Sequence, residues 1–198
     1  MPSASVCSDP PACAVIETLP SAFLLRMQAL LGSEYPDFLA AYQYPPVSGL
    51  RLNTLKITPE AWQALTPYPL SPVPWCPSGF IVQQSAPTGG ATPPPPGKHP
   101  FHAAGLYYLQ DPSAMAAAEL LAPQPGERVL DLAAAPGGKT THLAALMQGE
   151  ALLIANEIHP QRAWDLAENL ERCGVRSAAI LNETPARLAA HFWAYFDR

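Results

Sequence analysis

Proline placement constrains what this chain can fold into more than any other feature. Proline lacks a backbone N–H and has a fixed φ, so it is excluded from helix interiors and central strands. The 198-residue chain holds 25 prolines, where a typical share of about 5% would give roughly ten. Nineteen stand at or before Pro100 and six after it, so long regular elements belong mainly to the second half. The change falls at Pro93-Pro94-Pro95-Pro96-Gly97, which closes a Ser/Thr/Gly-rich stretch from Ser85. Four prolines in succession favour extended polyproline II. We expect residues 85–100 to form an exposed Pro-rich loop. Residues 1–17 show no periodicity and are expected to be a disordered lead-in.

Between these segments, residues 18–84 read as a small α+β N-terminal domain. Phe23, Met27, Leu30 and Leu31 recur at helical spacing, with Pro20 near the start and Gly32 at the end. Phe38, Leu39 and Tyr42 suggest a second short helix, and Leu50-Arg51-Leu52-Asn53 alternates like a half-buried strand. Thr58-Pro59-Glu60 has the order of a cap, a first-turn proline and a first-turn acid.

Residues 101–198 are more regular. Arg128–Leu132, Ala151–Ala155 and Ser177–Leu181 read as short apolar strands. Between them, Thr140, Leu143, Ala144 and Met147 mark one amphipathic helix, and Ala163, Leu166, Ala167 and Leu170 a second, bounded by Pro160 and Gly174. A third helix is expected from about Pro185 to Trp193, and Tyr195–Arg198 reads as the approach to a fourth strand. Alternating strands and helices imply an α/β fold with a parallel, doubly wound sheet, of which this chain carries the first three strands.

In such sheets ligands bind outside the carboxyl ends of the strands. Asp131 ends the first strand, and Ala133-Ala134-Ala135-Pro136-Gly137-Gly138 leads into the helix. Small residues let a ligand approach the backbone, and the helix N-terminus offers free N–H groups. The second strand ends at Asn156-Glu157, with Glu157 20 residues after Gly137, where a carboxylate can accept from both hydroxyls of a ribose. An adenosine-containing ligand follows from this pairing. Gly138-Lys139-Thr140 matches the end of a phosphate-binding P-loop, but Ala133 stands where its leading glycine belongs. The early glycines of a dinucleotide fingerprint are also alanines. S-adenosylmethionine remains, beside a purely structural strand-to-helix turn.

The string Asp131-Leu132-Ala133-Ala134-Ala135-Pro136-Gly137-Gly138-Lys139-Thr140 resembles the S-adenosylmethionine motif of the Nol/Nop/Sun family of RNA cytosine-C5 methyltransferases. Gly105–Met115 resembles the family segment that leads into the catalytic domain, and Arg51-Leu52-Asn53-Thr54-Leu55-Lys56 resembles an N-terminal signature. Pro74-Trp75-Cys76 through Gly79-Phe80 fits the bacterial ribosomal-RNA branch. The resemblance implies a Rossmann-like S-adenosylmethionine-dependent methyltransferase domain behind the α+β domain. In that reading Ala133, Ala134, Ala135, Pro136, Gly137, Gly138 and Lys139 form the cofactor turn, Glu157 binds the ribose, and Glu183 meets the adenine amino group. Arg162 either supports Glu157 or is a solvated surface residue. Glu183 has the alternative of a first-turn acid ahead of Pro185, and Lys139 that of a helix-start residue. Gln110, Asp111 and Ser113 either line a pocket or cap a helix, and Tyr107 and Tyr108 either stack on a base or pack in the core.

The family's chemistry uses a cysteine thiolate that adds to C6 of cytosine, and a second cysteine that assists elimination. Both belong after the fourth strand, so no residue of this sequence is assigned as catalytic. We therefore expect the front part of a longer enzyme, marginally stable alone, acting on RNA, ribosomal more than transfer. The alternative is a catalytically inactive cofactor- or RNA-binding module.

Composition bounds these readings. The net charge of −5 argues against a strongly basic nucleic-acid grip by this chain alone. Its apolar runs fall far short of the roughly 20 residues that span a bilayer, and the Met-Pro-Ser-Ala-Ser opening lacks the basic start of a secretory signal. Cys7, Cys13, Cys76 and Cys173 have no paired spacing, which predicts reduced thiols in a cytoplasmic protein; a monomer without a metal is expected. Cys173 reads as a small buried hydrophobe, and His142, His159 and His191 as surface residues.

Overall fold

The computed structural model describes residues 19–42, 44, 47–83 and 93–198. The expectations for residues 1–17 and for residues 85–92 of the Pro-rich stretch lie outside them; within its described part Pro96–Lys98 form a 3-10 turn. The chain divides into two units, residues 1–46 and 47–198.

The first unit holds helix α1 (Ser21–Leu31), a 3-10 turn (Gly32–Glu34) and helix α2 (Tyr35–Ala41). Gly32, at φ 52°, ends α1 as the sequence suggests. Phe38 joins the helices, its ring centroid 6.1 Å from Phe23 and 5.3 Å from Tyr42.

The second unit begins with β1 (Ser48–Leu52), α3 (Pro59–Leu65), β2 (Leu70–Val73), β3 (Cys76–Val82), α4 (Pro100–Ala103), β4 (Tyr107–Leu109) and α5 (Pro112–Leu121). These four strands form an antiparallel sheet in the order β2-β3-β1-β4. Its prolines obey the missing N–H. Pro72 lies on the edge strand β2, and Pro77 precedes the part of β3, Gly79–Val82, that pairs with β1. Thr58 caps α3, its hydroxyl accepting from the Ala61 N–H. β4 follows the Pro-rich stretch in sequence yet pairs with β1, Leu109 opposite Leu50 and Tyr107 opposite Leu52. Leu50, Leu52, Trp62 and Tyr107 are wholly buried and make the core beneath the sheet.

The alternating pattern then appears as β5 (Arg128–Asp131), α6 (Gly138–Leu146), β6 (Leu152–Asn156), α7 (Pro160–Cys173), β7 (Ala178–Leu181) and α8 (Pro185–His191). β5, β6 and β7 are parallel and lie in that order. Val129, Leu143, Ala144, Met147 and Leu153 pack with Ala118 of α5, while Ala134, Ala135, Ala155, Leu166 and Leu170 form a second cluster. On β5 the Asp197 N–H donates to the Arg128 carbonyl at 2.8 Å, and the Leu130 N–H to the Arg198 carbonyl at 3.0 Å. Strand groups alternate in direction, so this pairing uses the edge of β5 away from β6. It places Asp197 and Arg198 along that edge of β5. Among the described residues no helix is long and apolar enough to cross a membrane.

The signature Arg51–Lys56 explains how the two sheets are joined. Alternation along β1 sends Leu50 and Leu52 into one core and Arg51 and Asn53 the other way. Arg51 donates to the Gly138 carbonyl at 2.6 Å and to Thr141 Oγ1 at 2.7 Å, and it also bonds Gln110 Oε1. Asn53 Nδ2 donates to the carbonyls of Gly105 and Cys173, at 2.8 and 2.7 Å. Lys56 Nζ reaches the carbonyls of Ala104 and Arg172, at 2.8 and 2.7 Å. The segment thus holds the start of α6 with one side chain and the end of α7 with two. A cation on the last carbonyls of α7 also suits the helix dipole.

Candidate functional site

The turn from β5 into α6 is compact because its residues are small. Gly137 has φ 106°, and a Cβ there would lie 3.2 Å from Leu166 Cδ1. A Cβ on Gly138 already meets the Tyr108 ring at 3.3 Å. Ala134 and Ala135 are buried, whereas Ala133, Pro136 and Lys139 are exposed. The carbonyls of the turn are tied from behind: Ala135 O accepts from Arg162 at 2.8 Å and Pro136 O from Asn169 at 2.9 Å. The N–H groups of the first helical turn have no partner within α6 and carry the positive end of its dipole. Asp131 stands at the mouth and accepts from Thr140 Oγ1 at 2.8 Å. Burial pushes its carboxyl above the ordinary range, against the pull of Thr140 and Lys139.

Glu157, just past β6, is only 2% exposed. Its Oε1 accepts from the His159 N–H at 3.0 Å. Its Oε2 is buried and accepts no hydrogen bond among the described residues, although Arg162 lies 3.3 Å away. The distance makes an ion pair, but the orientation leaves the oxygen's hydrogen-bonding capacity free. One guanidinium therefore touches both Glu157 and the β5–α6 turn, through Ala135. Glu183, after β7, is partly exposed, and its carboxylate pairs with Arg187 at 3.1 Å. Beside it lies a groove of about 220 Å³ lined by Leu181, Leu188 and Phe192, among others.

Asn156 draws these loops together and was not singled out from the sequence. It is 1% exposed. Its side chain donates to the Leu132 and Glu183 carbonyls, at 3.1 and 3.0 Å, and accepts from the Glu183 N–H at 3.0 Å. Its own carbonyl accepts from the Ala134 N–H at 2.8 Å. The polar residue ending an apolar strand was its available signal. The structure thus brings the turn, Glu157, Arg162 and the Glu183 backbone into one network; Lys139 stands at its rim.

Other residues separate cleanly. Asp111 caps α5, accepting from the Ser113 N–H at 2.8 Å and from its hydroxyl. Tyr107 and Tyr108 are buried core residues, and Arg51 and Arg172 lie over the Tyr108 ring. Cys173 is buried as expected. His159 and His191 are exposed. His142 is the correction: it is 1% exposed, because α5 and β3 cover the face of α6 that the helical pattern left open. Its Nε2 lies 3.1 Å from Glu119 Oε1 and 3.9 Å from Cys76 Sγ. Burial and the Arg51 charge hold its imidazole down to about 3.

Residues 19–112 match the family model described as the N-terminal domain of 16S rRNA methyltransferase RsmF, and residues 118–198 match that of 16S rRNA methyltransferase RsmB/F. The chain belongs to the RsmB/F family. Among relatives of this RsmB/F chain is ribosomal RNA small subunit methyltransferase F of Vibrio campbellii, 41% identical over 171 residues, covering 83% of this chain and 35% of that protein. The protein of the same name from Citrobacter koseri is 40% identical over 172 residues, covering 81% and 34%. The chain therefore spans about a third of the length of these relatives. A methyltransferase homolog protein from Pyrococcus horikoshii superposes with a TM-score of 0.74 at 28% identity, over 89% of this chain and 57% of that one. NSun6 from Pyrococcus horikoshii with SFG superposes with a TM-score of 0.75 at 20% identity, over 88% and 68%, a likeness of fold. The RsmB/F chain thus has a partial Rossmann-like methyltransferase domain behind an N-terminal domain.

Proposed function

We propose that this chain supplies the S-adenosylmethionine site of an RNA cytosine-C5 methyltransferase that acts on small-subunit ribosomal RNA. The observation that carries the reading is Glu157. A carboxylate buried at a strand's carboxyl end with one oxygen unaccepted is costly unless a donor arrives, and a ribose diol supplies two. S-adenosylmethionine, when bound, provides the methyl group.

The remaining roles follow from position. The Ala133–Lys139 turn and the first N–H groups of α6 receive the methionine carboxylate, for which the dipole is suited. Asp131, whose charged form is disfavoured by burial, gains from pairing with the methionine ammonium. Arg162 orients Glu157 while holding the turn, and Glu183 accepts from the adenine amino group. Lys139 steers the anionic end of the ligand. The relatives' names, ribosomal RNA small subunit methyltransferase F, support the RNA substrate. Acting on that substrate places the protein in the cytoplasm.

Glu157→Gln tests the assignment by calorimetric titration with S-adenosylmethionine. A hydrogen bond to a charged group contributes about 1.5–3 kcal/mol, so affinity should fall roughly 10- to 100-fold while the thermal midpoint stays near wild type. Unchanged affinity would remove Glu157 from the site.

A further inference from the structure

A second cluster lies apart from the cofactor turn. Cys76 opens β3, Glu119 lies in α5 and His142 in α6, and one ligating atom from each falls within 4.8 Å of the others. Cys76 and His142 are buried, and Glu119 is 20% exposed. A tetrahedral zinc ion, bonded at about 2.3 Å to sulfur and about 2.0–2.2 Å to nitrogen or oxygen, holds its donors roughly 3.4–3.6 Å apart. The Cys76–His142 and His142–Glu119 separations, 3.9 and 3.1 Å, bracket that range. We propose that Cys76, Glu119 and His142 bind a zinc ion that clips the antiparallel sheet to the helices of the methyltransferase domain.

The donors suit the charge and softness of the ion. A thiolate and a carboxylate neutralise Zn2+, and a neutral imidazole adds the third bond. The neutral imidazole donates from Nε2 to Glu119 Oε1 when no metal is bound; to ligate through Nε2 it carries its proton on Nδ1 instead, which has no hydrogen-bond partner among the described residues. The Cys76 thiol, pushed up by burial and by Glu119, loses its proton to solvent as the Zn–S bond forms. Ser78 Oγ, 3.5 Å from the sulfur, can then donate to the thiolate. A cavity of about 170 Å³, lined in part by Thr54, Ser78, Glu119 and His142, gives the ion a way in and leaves room for water as fourth ligand.

The test is zinc stoichiometry of the full chain by elemental mass spectrometry, after dialysis against Zn2+ buffered by a competing chelator. One zinc per chain is expected, both in wild type and in the Cys7→Ser/Cys13→Ser variant, which keeps all three proposed ligands. Cys76→Ser should lose the metal. Co2+ in place of zinc should show a tetrahedral spectrum with a thiolate charge-transfer band. Because Cys76→Ser can fail to fold, Glu119→Gln provides a second arm. Loss of an outer-shell partner alone costs about 10–100-fold in metal affinity, so loss of this ligand should cost at least tenfold. Wild type without zinc, zinc lost on removing Cys7 and Cys13, or affinity unchanged in Glu119→Gln would each overturn the site.

Discussion

Arg51→Met removes the fork that joins β1 to the first turn of α6. The wild-type guanidinium makes three hydrogen bonds, to Gly138 O, Thr141 Oγ1 and Gln110 Oε1. At about 1.5–3 kcal/mol for each bond to a charged group, they contribute about 5–9 kcal/mol. Against this, burial depresses the guanidinium from 12.5 to about 10, a cost of about 3 kcal/mol that methionine does not incur. Thr141 keeps its bond to the Gly137 carbonyl at 2.8 Å, so its hydroxyl is not stranded. The net loss is about 2–6 kcal/mol, which for a domain of this size lowers the thermal midpoint by at least roughly 4 °C. Calorimetry of the full chain reads this directly. Arg51→Lys should recover little, because one ammonium cannot reproduce three bonds that diverge from two nitrogens. A midpoint within about 2 °C of wild type in Arg51→Met would refute the view that the fork holds the two sheets together.

Three further outcomes are expected. Gly137→Ala places a Cβ 3.2 Å from Leu166 at φ 106°; a loss of about 1–3 kcal/mol in urea unfolding follows from the strain, and unchanged stability would contradict it. The hydrogen bonds from Arg128 hold the Asp197 carboxyl down to about 2. Because its folded value is depressed, the stabilisation it gives the β5 edge is present above about pH 3.9 and is lost as pH falls through about 2. A carboxyl NMR titration with its midpoint at the ordinary value would show the contact absent. Cys173 is 1% exposed and burial raises its thiol, so iodoacetamide at neutral pH should modify it only after unfolding; modification of Cys173 itself in the folded chain, read by peptide mapping, would count against its buried position.

The parallel half was legible because each element carries its own signal. Apolar runs, the Gly137 turn, Pro160 and Gly174 mark boundaries locally, and the observed strands differ from the expected ones by only a residue at some ends. The antiparallel half was less so. Pro72 and Pro77 obscure β2 and β3, and only the pairing shows that one is an edge strand and the other proline lies outside the β1 ladder. Glu157 was readable from its distance to the turn, but the free Oε2 was not. Asn156 and Arg51 act through partners 24 to 90 residues away, which no window along the sequence can contain. His142 fails for the same reason: helical periodicity names one apolar face, and tertiary contacts with β3 and α5 bury another.

The signature on β1 also bears on the order in which the chain assembles. Arg51 and Asn53 wait for acceptors 87 and 120 residues further along. At roughly 5–20 residues per second, a ribosome takes about 6–24 s to make 120 residues. During that interval Leu50 and Leu52 can already pack against Trp62 and Tyr107, while the opposite side of β1 still presents a hydrated cation and an amide. That polar side keeps the nascent sheet from closing on a wrong apolar surface. Only a helix pair offering the Gly138 and Cys173 carbonyls at the right spacing completes it, so this joint closes only after α7 has been made.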